Sequence, residues 1–135
     1  MARILVIDDD EALLTTLKEL LAIAGHAVVT ASDGLEGAKL FRAEPFDVII
    51  TDLIMPNREG LETIITLHRE FPAVGVIAMS GGIARSKTYL AIAARLGAHR
   101  TLAKPFTTQQ LNDAIADTLA LRPATGSGPA PGSGC

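Results

Sequence analysis

The stretch RILVIDDDEALL, residues 3–14, joins a continuous apolar run to four consecutive acids. An apolar run without polar alternation is typical of a parallel strand that is buried on both faces. The leucines that follow belong to a segment of helical period over residues 11–24, which Gly25 ends. Like charges this close repel one another, so four acids at the end of a buried strand require an explanation.

Beyond this stretch, short apolar runs alternate with longer segments of helical period. The predicted strands are residues 3–7, 27–31, 46–51, 74–79 and 98–103, and the predicted helices are residues 11–24, 33–43, 58–70, a segment within 85–96 and residues 107–121. This (βα)5 order predicts an α/β fold, a doubly wound five-stranded parallel sheet with helices on both faces and right-handed crossovers. The last strand is the most polar, which places it at an edge of the sheet.

The chain has 135 residues, enough for one domain with a single core. Residues 1–121 carry the alternating pattern, whereas residues 122–135 are rich in Gly, Pro, Ser and Ala, which predicts a flexible tail or linker. A net charge of −3 with scattered Lys and Arg argues against nucleic-acid binding as the main function. Cys135 has no partner for an internal disulfide, and no apolar run approaches the ~20 residues of a membrane span. We therefore expect a cytoplasmic protein without membrane association.

Polar side chains collect at the carboxyl ends of the predicted strands, where ligands bind in open α/β sheets. They are Asp8, Asp9 and Asp10 after the first strand, Asp52 after the third, Ser80 after the fourth and Lys104 after the fifth. Taken separately, each has an ordinary explanation, since acids are favoured at helix N-termini and lysines are common on surfaces. Taken together, crowded carboxylates need a counter-charge, and Mg²⁺ prefers oxygen ligands. Beside such a cation, Asp52 stays ionised and can act as a nucleophile.

The stretches ILVIDDD, DVIITDLIMPNREG, MSGG and GAHRTLAKPF together resemble the receiver domain of two-component response regulators, in the CheY-like superfamily. The resemblance covers about residues 2–121 and implies the strand order 2-1-3-4-5. It implies that Asp52 accepts a phosphoryl group from a phosphohistidine. It also implies that Asp9, Asp52 and the backbone carbonyl of Ile54 bind Mg²⁺, while Asp8 completes the acidic pocket and holds metal-bound water.

The same resemblance assigns Ser80 and Lys104 to the oxygens of the phosphoryl group. Asp10 has no role in the family pattern, and we expect it to cap the first helix. The implied function is that of a signalling domain rather than an enzyme, although the domain assists its own phosphorylation and autodephosphorylation. The implied partners are a sensor histidine kinase or a histidine phosphotransfer protein, and a downstream output partner that the sequence does not identify.

Two features depart from the family pattern. Many receivers carry an aromatic residue three positions before the lysine, where this chain has Thr101. A short β-branched side chain cannot sweep the same area, so we expect a muted switch at Ser80 and Thr101, with the largest changes in the loops after Asp52 and Ser80. No DNA-binding or enzymatic pattern follows residue 121, which predicts a stand-alone receiver or an excerpt of a longer protein.

The main alternative is a Mg²⁺-dependent phosphatase of the haloacid-dehalogenase type, whose nucleophile lies in a D-x-D motif after the first strand. Residues 8–10 fit that motif, but its later acidic pair would have to be Asp113 and Asp117 in the last helix, and Asp52 would have no role. A flavodoxin-type FMN site is rejected because four acids would repel the phosphate of FMN. A purely structural interaction module stays open, and failure to bind Mg²⁺ would favour it.

Overall fold

A computed structural model of the chain describes residues 2–52, 58–80, 95 and 97–121. The strands are β1 (Arg3–Ile7), β2 (Ala27–Ala31), β3 (Val48–Asp52), β4 (Gly75–Ser80) and β5 (Arg100–Ala103), and the helices are α1 (Glu11–Ile23), α2 (Gly34–Ala43), α3 (Arg58–Glu70) and α4 (Thr108–Leu121). All five strands pair in parallel in the order β2-β1-β3-β4-β5. The predicted doubly wound sheet and its strand order are confirmed.

Two predicted segments fall largely outside the described part of the chain. The helix predicted within residues 85–96 is described only at Arg95, which is helical. The boundary between a domain of residues 1–121 and a tail of residues 122–135 also stays a prediction. Among the described helices, none has the length and apolarity to cross a bilayer.

The central strands β1, β3 and β4 are buried on both faces because helices cover both sides of the sheet. On one side, buried residues of the strands pack against α2 and α3, and this cluster contains Leu5, Ile7, Phe41, Ile49, Ile65, Leu67, Val76 and Ala78. On the other side they pack against α1 and α4, in a cluster that contains Ile4, Val6, Leu14, Leu17, Leu21, Ile50, Ile77, Met79, Leu111 and Ile115. Of β5, only Leu102 is buried, which agrees with the edge position predicted for this strand.

Side-chain caps are present at the start of two of the predicted helices. Gln110 donates its N–H to the Thr107 hydroxyl at 3.0 Å, and its side-chain oxygen accepts the Thr107 N–H at 2.8 Å. At α2, Asp33 accepts the Glu36 N–H at 2.8 Å, but the Glu36 carboxylate accepts the N–H of Ser32 rather than that of Asp33. These bonds satisfy backbone donors that the first turn of a helix leaves without partners.

The main difference from the predicted boundaries concerns the third strand and the loop after it. The strand was expected at residues 46–51, but Phe46 packs in the core before the strand begins, and Asp52 still pairs with Met79 of β4. Asp52 is therefore held by the sheet itself. Gly60, the last residue of the stretch DVIITDLIMPNREG, lies in the first turn of α3.

Candidate functional site

Asp8 and Asp9 leave the carboxyl end of β1, which lies between β2 and β3 in the sheet. The Asp8 N–H donates to the Ala31 carbonyl at 3.1 Å, which continues the pairing of β1 with β2 by one residue. As a result Asp8 is fully buried, whereas Asp9 is exposed. One of the two acids thus points into the domain and the other reaches solvent at the mouth of the same site.

Asp52 ends β3 and is only 5% exposed. The register of the sheet pairs Ile7 with Thr51, so Asp8 and Asp52 are the next residues on two neighbouring strands. Carboxylate oxygens of Asp8, Asp9 and Asp52 lie within 4.8 Å of one another. The structure therefore brings together the three acids that the sequence singled out.

Lys104 reaches these acids from the far side of β4. It follows β5 directly, its peptide bond to Pro105 is cis, and its Nζ lies 2.7 Å from Asp8 Oδ2 and 3.2 Å from Asp52 Oδ2. Burial alone would lower the pKa of Lys104, but the hydrogen bond to Asp8 and the charges of Asp52 and Asp8 raise it above its ordinary value. The ammonium group therefore stays charged at neutral pH.

The donor set fits a hard divalent cation. Carboxylate oxygens are ligands that Mg²⁺ prefers, and two oxygens bound to one octahedral Mg²⁺ lie at most about 4.2 Å apart, so a spread of 4.8 Å requires only small side-chain adjustments. Three carboxylates and one ammonium group leave a formal charge of −2, which a divalent cation neutralises. The residues present thus suit the ion that the sequence predicted, with Asp9 on the open side of the site.

The chain is similar to known proteins in sequence and in fold. The family model of the response regulator receiver domain matches residues 4–116. The chain belongs to this family. A receiver domain protein from Clostridium thermocellum is 36% identical, with a TM-score of 0.77 over 89% of this chain and 95% of that one. A CheY-like receiver domain protein from Methanospirillum hungatei JF-1 is 28% identical, with a TM-score of 0.81 over 89% and 94% of the two chains.

Curated relatives of this receiver domain are longer proteins. The alkaline phosphatase synthesis transcriptional regulatory protein PhoP of Bacillus subtilis is 32% identical over 110 residues, which are 82% of this chain and 45% of PhoP. The chain spans less than half the length of the curated relatives it matches. What the remaining parts of those proteins do does not carry over to the residues described here.

The remaining residues of the predicted receiver site are Ile54, Ser80 and Thr101. The main chain of Ser80 ends β4 and pairs with Ala103, but its side chain lies outside the described part of the molecule, as does all of Ile54. Thr101 lies on β5 opposite Ala78, with its side chain exposed. The roles of Ile54, Ser80 and Thr101 therefore stay predictions.

The phosphatase alternative finds no support in the family comparison or in the position of its acids. Asp113 and Asp117 are exposed on α4, and Asp117 binds Arg100 at 3.1 Å instead of facing the acidic cluster. Asp52, which had no role in that alternative, is one of the three clustered acids. The receiver pattern accounts for all three clustered acids.

Two contacts at the site were not foreseen. Lys104, which the resemblance assigns to the phosphoryl oxygens, makes its shorter contact with Asp8. In addition, the backbone N–H of Asp10 donates to Asp8 Oδ1 at 2.9 Å. The cap that Asp10 forms on α1 was expected from residue type and position, but nothing in the sequence pattern indicated that the same residue holds Asp8.

Proposed function

We propose that this receiver domain accepts a phosphoryl group on Asp52 from a phosphohistidine and passes the signal on by a conformational change. The donor is a sensor histidine kinase or a histidine phosphotransfer protein. The observation that carries the proposal is the convergence of Asp8, Asp9 and Asp52 within 4.8 Å, with the Lys104 ammonium group in contact with two of them. A carboxylate that is buried beside an ammonium group and a cation site is ionised and can act as a nucleophile. Its burial also keeps water from surrounding it.

In the proposed transfer, the phosphorus–nitrogen bond of the donor breaks while a phosphorus–oxygen bond forms to the Asp52 carboxylate. The electron pair of the broken bond leaves with the imidazole nitrogen, which takes a proton from solvent, and the product is an acyl phosphate. Such a transfer depends on positioning and on charge stabilisation more than on covalent assistance by other groups. The domain itself assists both this step and the later attack of water on phosphorus, which restores Asp52.

The proposed roles of the neighbouring residues are those that the family resemblance implies. Asp9, Asp52 and the Ile54 carbonyl would hold Mg²⁺, with Asp8 on its hydration water, and the ion would supply positive charge to offset the charge on the phosphoryl oxygens. Lys104 already contacts Asp52 and would bind one of those oxygens. The Ser80 hydroxyl would donate to another oxygen.

Intact-mass measurement with a small phosphodonor tests the proposal. Acetyl phosphate is expected to add the mass of one phosphoryl group to the wild type only when Mg²⁺ is present, and to leave Asp52→Asn unmodified. Asp117→Asn is the matched control, because it removes an exposed acid on α4, and it is expected to be phosphorylated like the wild type. Equal phosphorylation of wild type and Asp52→Asn would move the acceptor elsewhere. Release of phosphate from a broad range of monoesters would favour the phosphatase.

A further inference from the structure

Asp8 is a buried carboxylate whose two oxygens each have a protein partner. Its exposed fraction is 0%, Oδ2 accepts from Lys104 Nζ at 2.7 Å, and Oδ1 accepts the backbone N–H of Asp10 at 2.9 Å. Because water does not orient a buried group, these two contacts decide where the carboxylate points. The ammonium group of Lys104 lies at the end of a flexible side chain, whereas the N–H of Asp10 belongs to the main chain.

The direction of that N–H depends on the cap of α1. Asp10 is the N-cap residue, with φ −89° and ψ 102°. Its carboxylate accepts the Leu13 N–H at 3.2 Å and its carbonyl oxygen accepts the Leu14 N–H at 3.0 Å. These bonds tie the main chain of Asp10 to the first turn of α1 from two sides. The helix thus holds the donor that orients Asp8.

We propose that Asp10 is a positioning residue for the metal site. It does not bind the ion. Its cap of α1 keeps its own backbone N–H on Asp8, and Asp8 then presents its carboxylate to the site. This inference rests on the proposed function, because it concerns the affinity of the same site for Mg²⁺. Partners of metal-binding residues commonly change metal affinity when they are mutated, although they touch no metal.

A cap that only stabilises a helix is the competing explanation, and the chain offers a matched control. Asp33 caps α2 with the same two bonds, since its carboxylate accepts the Glu36 N–H at 2.8 Å and its carbonyl oxygen accepts the Gly37 N–H at 3.0 Å. Alanine removes a cap and asparagine retains it, and both remove the negative charge. The ratio of the alanine and asparagine variants at one position therefore isolates the cap from the charge.

The experiment is a Mg²⁺ titration without phosphodonor, followed by the amide NMR signals of residues 8–10. Asp10→Ala is expected to bind Mg²⁺ roughly fivefold more weakly than Asp10→Asn, from the usual strength of a cap. Asp33→Ala and Asp33→Asn are expected to bind Mg²⁺ equally, although both alanine variants should have lower melting temperatures than their asparagine counterparts. If Asp10→Ala does not fold, Asp10→Thr takes its place as the weaker cap, with a smaller loss of affinity in the same direction.

Two results would overturn the inference, and they differ in what else they overturn. If the wild type binds Mg²⁺ but Asp10→Ala and Asp10→Asn bind it equally, Asp10 only stabilises α1 and the proposed function stands. If the wild type does not bind Mg²⁺, the positioning role and the metal-dependent proposed function both fall.

Discussion

At the amino end of the sheet, polar side chains bind backbone groups, whereas at the carboxyl end three carboxylates lie close together and two of them contact one ammonium group. His26 accepts the Ala2 N–H at 3.1 Å, and Asp47 accepts the Arg3 N–H at 2.9 Å. Each of these contacts satisfies a main-chain donor at the beginning of β1. They stabilise the fold and require nothing from outside the domain.

The carboxyl end of the sheet places three acids beside one lysine. Asp8 and Asp52 both contact the Lys104 ammonium group, and Asp9 lies beside them at the exposed side of the cluster. Crowded like charges destabilise a fold, so a domain that retains them has a use for them outside folding. The comparison teaches that contacts within the domain account for the polar residues at the amino end, whereas the crowded acids at the carboxyl end favour a binding function.

The largest expected effect on stability comes from removing the ammonium group. Lys104→Met leaves Asp8 and Asp52 as buried like charges and should destabilise the domain by about 3 kcal/mol in urea unfolding. Adding Mg²⁺ should restore more stability to this variant than to the wild type, because a cation again offsets the carboxylates. Arg100→Met, at the start of the strand that Lys104 follows, is the control. Its pair with Asp117 is exposed, so the loss should stay below about 1 kcal/mol. Equal losses in both variants would mean that the buried charges are not what Lys104 stabilises.

The raised pKa of Lys104 also sets a pH range for this contribution. A lysine whose pKa is higher in the folded state stabilises the fold fully below the unfolded value of about 10.4 and loses that effect as pH rises through the folded value. Unfolding curves of wild type and Lys104→Met should therefore keep a constant separation through neutral pH and approach each other only in strong alkali.

The second prediction tests whether substitutions at the amino end of the sheet leave the Mg²⁺ site at the carboxyl end unaffected. Gly97 has φ +72°, and an added Cβ would lie 2.7 Å from His68 Nε2, so Gly97→Ala should cost about 2 kcal/mol of stability. Gly25 has φ +96° with nothing within 4 Å of an added Cβ, so Gly25→Ala should cost about 1 kcal/mol from backbone strain alone. Neither change should alter the affinity for Mg²⁺ in a titration. A weaker Mg²⁺ site in Gly97→Ala would show that the two ends are coupled.

A smaller effect concerns the histidines. Burial, with a further contribution from His99, lowers the pKa of His68, so the folded state binds its proton less readily than the unfolded state does. The unfolded state therefore gains protons first as pH falls below about 6.5, and stability decreases from there down to the lowered folded value. The decrease in stability at acidic pH should be smaller in His68→Gln by roughly a few tenths of a kcal/mol, because the side chain is only half-buried. Unfolding curves of both proteins between mildly acidic and neutral pH would measure the difference, and parallel curves would exclude His68 as the source.

Local patterns predicted much of this architecture, because each strand is a short apolar run and each helix has a period and a cap. The acids after β1 and at the end of β3 could be placed at one site, since parallel strands deliver their carboxyl ends to the same edge. The strand order came from the family resemblance rather than from the residues themselves. The contact of Lys104 with Asp8 could not be foreseen, because it depends on the reach of one side chain past β4. The inclusion of Asp52 in β3 depends on its pairing with Met79, which is also a property of the assembled sheet.

The smallest expected effect is at Thr101, where the family often has an aromatic side chain. Thr101 is exposed on β5 and contacts none of the clustered acids among the interactions described, so Thr101→Ala should leave both stability and the rate of phosphorylation by acetyl phosphate nearly unchanged.

Since a short β-branched side chain cannot move a large area from solvent into the domain, activation should change the outer face of β5 and α4 little. Amide chemical shifts on adding beryllofluoride and Mg²⁺ measure this directly. Large shifts are expected at residues 8–10 and 52, and small ones at residues 100–103 and 108–121. Shifts of equal size in both sets, lost in Thr101→Ala, would show that this threonine carries the signal across the sheet as an aromatic residue does.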